Sequence, residues 1–397
     1  MMVLGYPANM ACESKPEDGS TARGPAVFAL SIHADYRCRH SGACCTADWD
    51  VPVELPLYRS LDEALTSGRV APAAEADQHS SPLIVQDGLP GNAAAMVART
   101  AAGDCVFYHR YSGLCVIHRD LGEPMLPATC RHFPRLAVRD VRGTFISLTH
   151  YCPTAAASLF REDVPIEIVR APAAFPQAAY EGLVIEGEDW PPLLRPDALA
   201  DPESYTAWER HMVERCAAPR LSPESVIATL ERDARLVRAV MPVTGASIAA
   251  AIAQLPREGV VADIPQTLDA SLADHAEAMT AVPAEWRPEP DTSGLADAYL
   301  RDVRPLWSAW NAPLKRYLAA KAFASWTAYQ GRGFLTIVRG LDAALALVRV
   351  EAARQCRDAG RPLDAALLQE AFREADFALN HLAAGDELAE SWSKVEA

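Results

Sequence analysis

The chain has 397 residues, half of them apolar, enough to bury a sizeable core in two or three domains. Its 37 basic and 52 acidic side chains leave a net charge of −15, so neither nucleic acid nor an anionic membrane surface is expected as a partner. No run of about 18 apolar residues occurs, and residues 1–25 lack the basic start and apolar centre of a secretory signal. The expected compartment is therefore the reducing cytoplasm, where ten cysteines read as thiols or metal ligands before disulfides.

Residues 1–25 are polar, rich in Gly, Pro and Ser, and without periodicity; they predict an unstructured tail that includes Cys12. Residues 26–160 read as a cysteine-rich domain of short strands and loops. Within it Val51–Tyr58 reads as a strand interrupted at Pro52 and Pro56. Leu136–Val141 and Thr144–Leu148 read as a hairpin turning at Arg142-Gly143. Residues 161–202 carry many prolines and one apolar run, Ile166–Val169, and read as a connecting segment.

From there the pattern is helical. In the region 203–282, Ser222 followed by Pro223 and Glu224 is a helix start, and Val226, Ile227, Leu230, Ala234, Val237 and Met241 form one apolar stripe. Weaker helices are expected at Ala246–Leu255 and Leu268–Thr280. Residues 283–293 read as a linker, and 294–397 as a helical bundle. There Leu314–Tyr329 predicts one helix ending at Gly331 and Gly333. Phe334, Val338, Leu341, Leu345 and Val348 predict the seam of the next, ending at Gly360 and Pro362. Asp364 caps a last helix with the stripe Leu368, Phe372, Ala375, Leu379 and Leu382. The expected class is α+β, mainly α: a small metal-stapled domain followed by an all-helical one.

Seven cysteines, Cys38, Cys44, Cys45, Cys105, Cys115, Cys130 and Cys152, fall within about 115 residues. His33, His40, His79, His109, His118, His132 and His150 crowd the same window. Cys216 and Cys356 sit in helical patterns and read as small buried hydrophobes. A zinc ion takes four thiolate or imidazole ligands, and a cubane iron–sulfur cluster takes four thiolates. Seven cysteines exceed either need, so the spare thiols bind a second metal, support the first or simply pack. Neighbouring side chains diverge in an extended backbone, so Cys44 and Cys45 share one centre only if the chain coils there. The spacings Cys-x5-Cys-Cys and Cys-x9-Cys-x14-Cys match neither zinc ribbons and fingers nor ferredoxin runs. Arg131, next to Cys130, reads as a charge partner for an anionic thiolate centre or as a surface salt bridge. Pro153 fixes the backbone beside Cys152.

At these residues the sequence resembles a known family. Gly42 before the Cys44-Cys45 doublet, Trp49, Cys105-Val-Phe, Gly113-Leu114-Cys115 through Leu121-Gly122-Glu123, Thr129-Cys130-Arg131-His132-Phe133-Pro134-Arg135, and Ser147-Leu148 ahead of Cys152-Pro153 carry the resemblance. They resemble the cysteine-cluster proteins described as zinc- or iron-chelating and, within them, the flagellin lysine N-methylases. The similarity covers about residues 36–160, and the helical order from Tyr317 to Leu382 is similar at the level of pattern. It implies an iron–sulfur cluster, of the 4Fe-4S type, with zinc as the alternative. It also implies methyl transfer from S-adenosylmethionine to lysine of a protein partner, flagellin first. Ser41 stands where the family places a further cysteine, and Asp376-Phe377 where a basic residue is expected.

No Gly-rich turn marks a nucleotide-binding methyltransferase fold, since Asp87-Gly88-Leu89-Pro90-Gly91 has too few glycines and a proline. Methyl transfer to lysine needs a neutral amine, through a base or a pocket that lowers its pKa, and the sequence identifies no base. The alternatives are a noncatalytic zinc- or iron-binding protein and an iron–sulfur redox protein.

Overall fold

The computed structural model describes residues 26–47, 49–74, 81–86, 88–89, 92–170, 182–184, 193–195, 198–239, 247–287, 291–330 and 333–394. The tail 1–25 with Cys12, His79, Met241 and Gly331 lies outside the described residues. The fold is α+β and mainly helical, with small sheets in the amino-terminal part and helices after it.

Strand β1 (Val27–Leu30) leads into the cysteine-bearing loop, and β2 (Pro52–Glu54) follows it. The expected strand 51–58 is corrected here. It stops after three residues, and helix α1 (Leu55–Thr66) begins, with a proline in its first turn where no amide partner is needed. Strands β3 (Leu83–Ile84) and β4 (Ala93–Val97) complete a three-stranded antiparallel sheet with β2. Then come the short pair β5 (Tyr108–His109) and β6 (Leu114–Cys115), and helices α2 (Val116–Leu121) and α3 (Ala128–His132).

The predicted hairpin is present as β7 (Arg135–Asp140) and β8 (Gly143–Leu148), with Asp140 opposite Gly143. Val141 at its turn is exposed, but the charged side chains beside it are covered. Arg142 pairs with Asp140 at 2.8 Å and with Glu209 at 3.1 Å, under the rings of Phe145 and Tyr205. Gly143 has φ +139, and a Cβ there would meet the Ala26 carbonyl, so β1 can lie directly alongside. Helix α4 (Pro153–Ser158) and strands β9 (Ile168–Arg170) and β10 (Gly182–Val184) follow, giving a five-stranded sheet in the order β10-β7-β8-β1-β9. The pair β11 (Leu193–Arg195) and β12 (Ala198–Leu199) leads to the helices.

Asp201 caps α5 (Pro202–Ala217) through the Ser204 amide, and Ser222 caps α6 (Pro223–Arg238) through Ser225, as the Ser-Pro-Glu start predicts. Helices α7 (Ile248–Ala253), α8 (Asp269–Thr280) and α9 (Leu295–Ala298) follow. The helix expected over 314–329 is two, α10 (Asn311–Ala322) and α11 (Thr327–Gln330). Ala324 breaks it at φ +54, its amide donating to the buried Glu209 carboxylate at 3.0 Å. Helix α12 (Phe334–Ala359) is buried along most of its length, and α6, α8, α10 and α13 (Ala365–Phe377) surround it. Trp208 stacks on Phe334 with ring centroids 4.9 Å apart. Asp364 caps α13 through Leu367, but this is not the last helix: a π turn (Ala378–Leu382) and α14 (Gly385–Ser393) follow.

The main apolar core joins these helices to Leu30, Ile32, Phe145 and Leu159 of the amino-terminal part. Each fully buried large apolar side chain contributes roughly 1.5–3 kcal/mol. A second core around Trp49, Val51, Val53, Phe107 and Ile117 lies beneath the cysteines. The two are joined at α13 and the π turn after it: Trp49, Phe133 and Tyr151 pack against His381 in that turn, and Arg373 of α13 donates to the Tyr151 carbonyl at 3.0 Å.

Candidate metal centre

The loop after β1 puts Tyr36 inside and leaves residues 37–41 at the surface. Gly42 then turns the chain at φ +80, with its carbonyl accepting the amides of Cys45 (2.8 Å) and Thr46 (3.1 Å). A Cβ at Gly42 would come within 2.6 Å of the Tyr108 hydroxyl, so only glycine fits. Residues Ala43–Cys45 form one 3-10 turn. The coiling that lets both Cys44 and Cys45 face one centre is therefore present, and their sulfurs are 3.8 Å apart.

The remaining cysteines reach the same place from separate elements. Cys105 donates its amide to the Cys45 carbonyl at 2.7 Å. Cys115 ends β6 opposite Tyr108 and opens α2, Cys130 lies in α3, and Cys152 caps α4. All seven line one cavity of about 480 Å3. Arg99 holds its edge, donating to the carbonyls of Cys45 (3.3 Å), Gly103 (3.4 Å) and Trp49. Arg99 was invisible in the sequence, where it is one isolated cation. Tyr36, two residues before Cys38, was missed as well. Its hydroxyl is 3.5 Å from the Cys152 sulfur, and its ring lies beneath the Arg135 guanidinium.

The cavity has two ends. Cys44, Cys45, Cys105, Cys115 and Cys130 belong to the core around Trp49 and Phe107, whereas Cys152 packs with Tyr36, Leu148 and Ala155. Cys38 is exposed, and its sulfur accepts the His40 amide at 3.3 Å. Burial pushes the Cys105 thiol up to about 11 and raises Cys115, Cys130 and Cys38 too. Cys44 moves the other way, because the hydrogen bond with Cys45 favours its thiolate and the Arg99 charge helps. Thiolate ligation here must displace protons held more tightly than in water.

Of the clustered histidines, His40 and His118 line the cavity with ring centroids 5.0 Å apart. His109 hydrogen-bonds to Ser112 at the surface, and His33 and His150 are buried at the junction with α13. Ser41 lines the cavity, as does Arg131, with which no carboxylate pairs among the described residues. Its Nε is buried without a hydrogen-bond partner among the described residues. Cys216 and Cys356 are fully buried in α5 and α12 as expected, far in sequence from the cavity lining. Asp376 stands inside the fold, where it neutralises Lys321 and binds His150 and Tyr317.

The sulfurs are spread round the cavity rather than gathered on a point. Among the described residues, no three His, Cys, Asp or Glu side chains are grouped as a single ion would require. No helix among the described residues is long and apolar enough to cross a membrane. Comparison with protein-family models, curated proteins and solved structures finds no match.

Proposed function

We propose that this chain is a metal-centre protein whose cysteine cavity holds an iron–sulfur cluster, and that it acts as a protein lysine N-methylase. The observation that carries the first part is the convergence of seven cysteines from six separate segments on one cavity of about 480 Å3. Free thiols gathered in this way have a ready use as ligands. The donor set suits a thiolate-held cluster: four ligands are needed, and Cys44, Cys45, Cys105, Cys115 and Cys130 provide them at one end. The preference for an iron–sulfur cluster over a zinc ion comes from the family resemblance.

When bound, such a cluster supplies one-electron and Lewis-acid chemistry. The chain's own residues do the rest. Val51, Val97, Phe107, Ile117 and Leu126 keep water from the sulfurs. Arg131 and Arg135 offset the negative charge of four thiolates. A lysine Nζ entering beside these arginines is shifted toward its neutral, nucleophilic form by like charge and desolvation. This answers the need for a neutral amine without a dedicated base. S-adenosylmethionine as methyl donor and flagellin as first acceptor come from the family resemblance around Cys105–Cys152.

The test is anaerobic purification with iron, sulfide and zinc analysis and an absorption spectrum, followed by S-adenosylmethionine binding. A methylation assay on flagellin from the same organism, read as a mass gain of one methyl on lysine, completes it. Iron and sulfide without cofactor binding would leave a redox protein, and zinc alone a noncatalytic staple. Neither iron nor zinc in near-stoichiometric amount would overturn the metal centre itself.

A further inference from the structure

Behind the cysteine cavity lies a second cavity, also about 480 Å3, bounded by the segment after β1 and by α4. Tyr36 and Arg37 line both. The segment between them is without regular structure, and its side chains divide. Cys38 and His40 face the cysteine cavity only, Arg39 faces the second cavity only, and Arg37 stands at the boundary. The chain turns at His40, φ +54, and this stretch of backbone serves as a partition with sulfur on one side and guanidinium on the other.

The charge in this region reverses that of the chain. Over the whole sequence acidic side chains outnumber basic ones 52 to 37, yet the linings of the two cavities hold five arginines, Arg37, Arg39, Arg131, Arg135 and Arg161, against Asp35 and Glu123. Asp35 is committed, both of its oxygens accepting from Arg161 at 2.7 Å. Arg37 and Arg39 have no carboxylate partner among the described residues. Two exposed guanidiniums at the rim of a concave site, neither with a carboxylate partner among the described residues, suit an oxyanion. A protein of net charge −15 would otherwise repel such a group, so the local reversal decides where it binds.

From this arrangement we infer that the second cavity is an oxyanion-binding site, which takes the carboxylate or phosphate of a small molecule on Arg37 and Arg39. The inference does not depend on what fills the cysteine cavity. Arg37 and Arg39 flank Cys38, so an occupied site fixes the partition that carries this thiol.

Equilibrium dialysis of the full-length, anaerobically purified protein at low ionic strength tests it, with inorganic phosphate in one arm and succinate in the other. Arg37→Gln/Arg39→Gln and the single Arg39→Gln are compared with Arg59→Gln, an exposed arginine on α1. The expected result is saturable binding of one anion per chain, weakened about tenfold or more in the double variant, less in Arg39→Gln, and unchanged in Arg59→Gln. The tighter arm identifies the group as phosphate or carboxylate. Binding of neither anion at millimolar concentration, or equal binding by wild type and double variant, would overturn the site.

Discussion

The Asp376 carboxylate on α13 accepts both the backbone amide of His150, at 2.5 Å, and its ring Nδ1, at 3.1 Å. That contact fixes the tautomer. With Nδ1–H donating to Asp376, His150 Nε2 is an acceptor, so His33 Nε2, 3.2 Å away, must donate to it. Lys321 and the Tyr317 hydroxyl complete the shell of Asp376 on its other oxygen. The helical part thus grips the backbone two residues before Cys152 through a wholly buried charge.

Removing that charge leaves Lys321 uncompensated. Asp376→Ala is expected to cost about 3–5 kcal/mol, the usual loss when one partner of a buried pair is deleted. Asp376→Asn keeps the shape and should cost less. Urea unfolding of the three proteins measures this, and a loss below about 1 kcal/mol for Asp376→Ala would show that the network is not holding the junction.

Acid should weaken the fold through its buried histidines. Burial lowers His381 from 6.5 to about 4, with Asp376 opposing and Lys321 adding to the effect. Between those values the unfolded chain holds a proton that the folded chain refuses, so stability falls as pH drops from about 6.5 to about 4 and levels off below. His33 and His150 are lowered in the same sense by burial. His381→Phe removes one of the three, and its stability difference between neutral and acid pH should shrink by up to about 3 kcal/mol. An unchanged pH slope in denaturant titrations would contradict this.

Cys115→Ser and Cys130→Ser should lose most of the bound metal and loosen the amino-terminal part, because short strands depend on their staple. Cys216→Ser, in the helical core, should keep it. Metal analysis and limited proteolysis read both effects, and equal metal content in all three variants would refute the ligand assignment. Because ligation displaces the protons of Cys105, Cys115 and Cys130, reloading of stripped protein should weaken steadily as pH falls below neutral.

Ala324→Gly should stabilise the protein. The left-handed conformation costs an alanine about 1–2 kcal/mol, and glycine gives back part of this through its freer unfolded chain. The net gain is expected to reach about 1 kcal/mol, seen as a higher melting temperature. A lower one would mean that Ala324 makes a packing contribution larger than its strain.

Local signals in the sequence determined much of this molecule. Ser222-Pro223-Glu224 and Asp364 start helices because a side-chain oxygen can satisfy a free amide within three residues, and the hairpin expected at Arg142-Gly143 is present one residue earlier, turning at Val141-Arg142 with Gly143 already in the second strand. Cysteine density marked the window 38–152 as the place for a metal centre and left open whether it held one or two. What the sequence could not determine depends on residues distant along the chain. The break at Ala324 needs Glu209, which lies 115 positions away. Arg99 and Tyr36 became part of the site only when folding brought their partners to them. Asp376, unexpected at its position, has its reason in Lys321, His150 and Tyr317, each on a different segment. Periodicity and caps act over a few residues and so can be read in order, whereas charge pairing and cavity walls are decided only once separate elements are packed together.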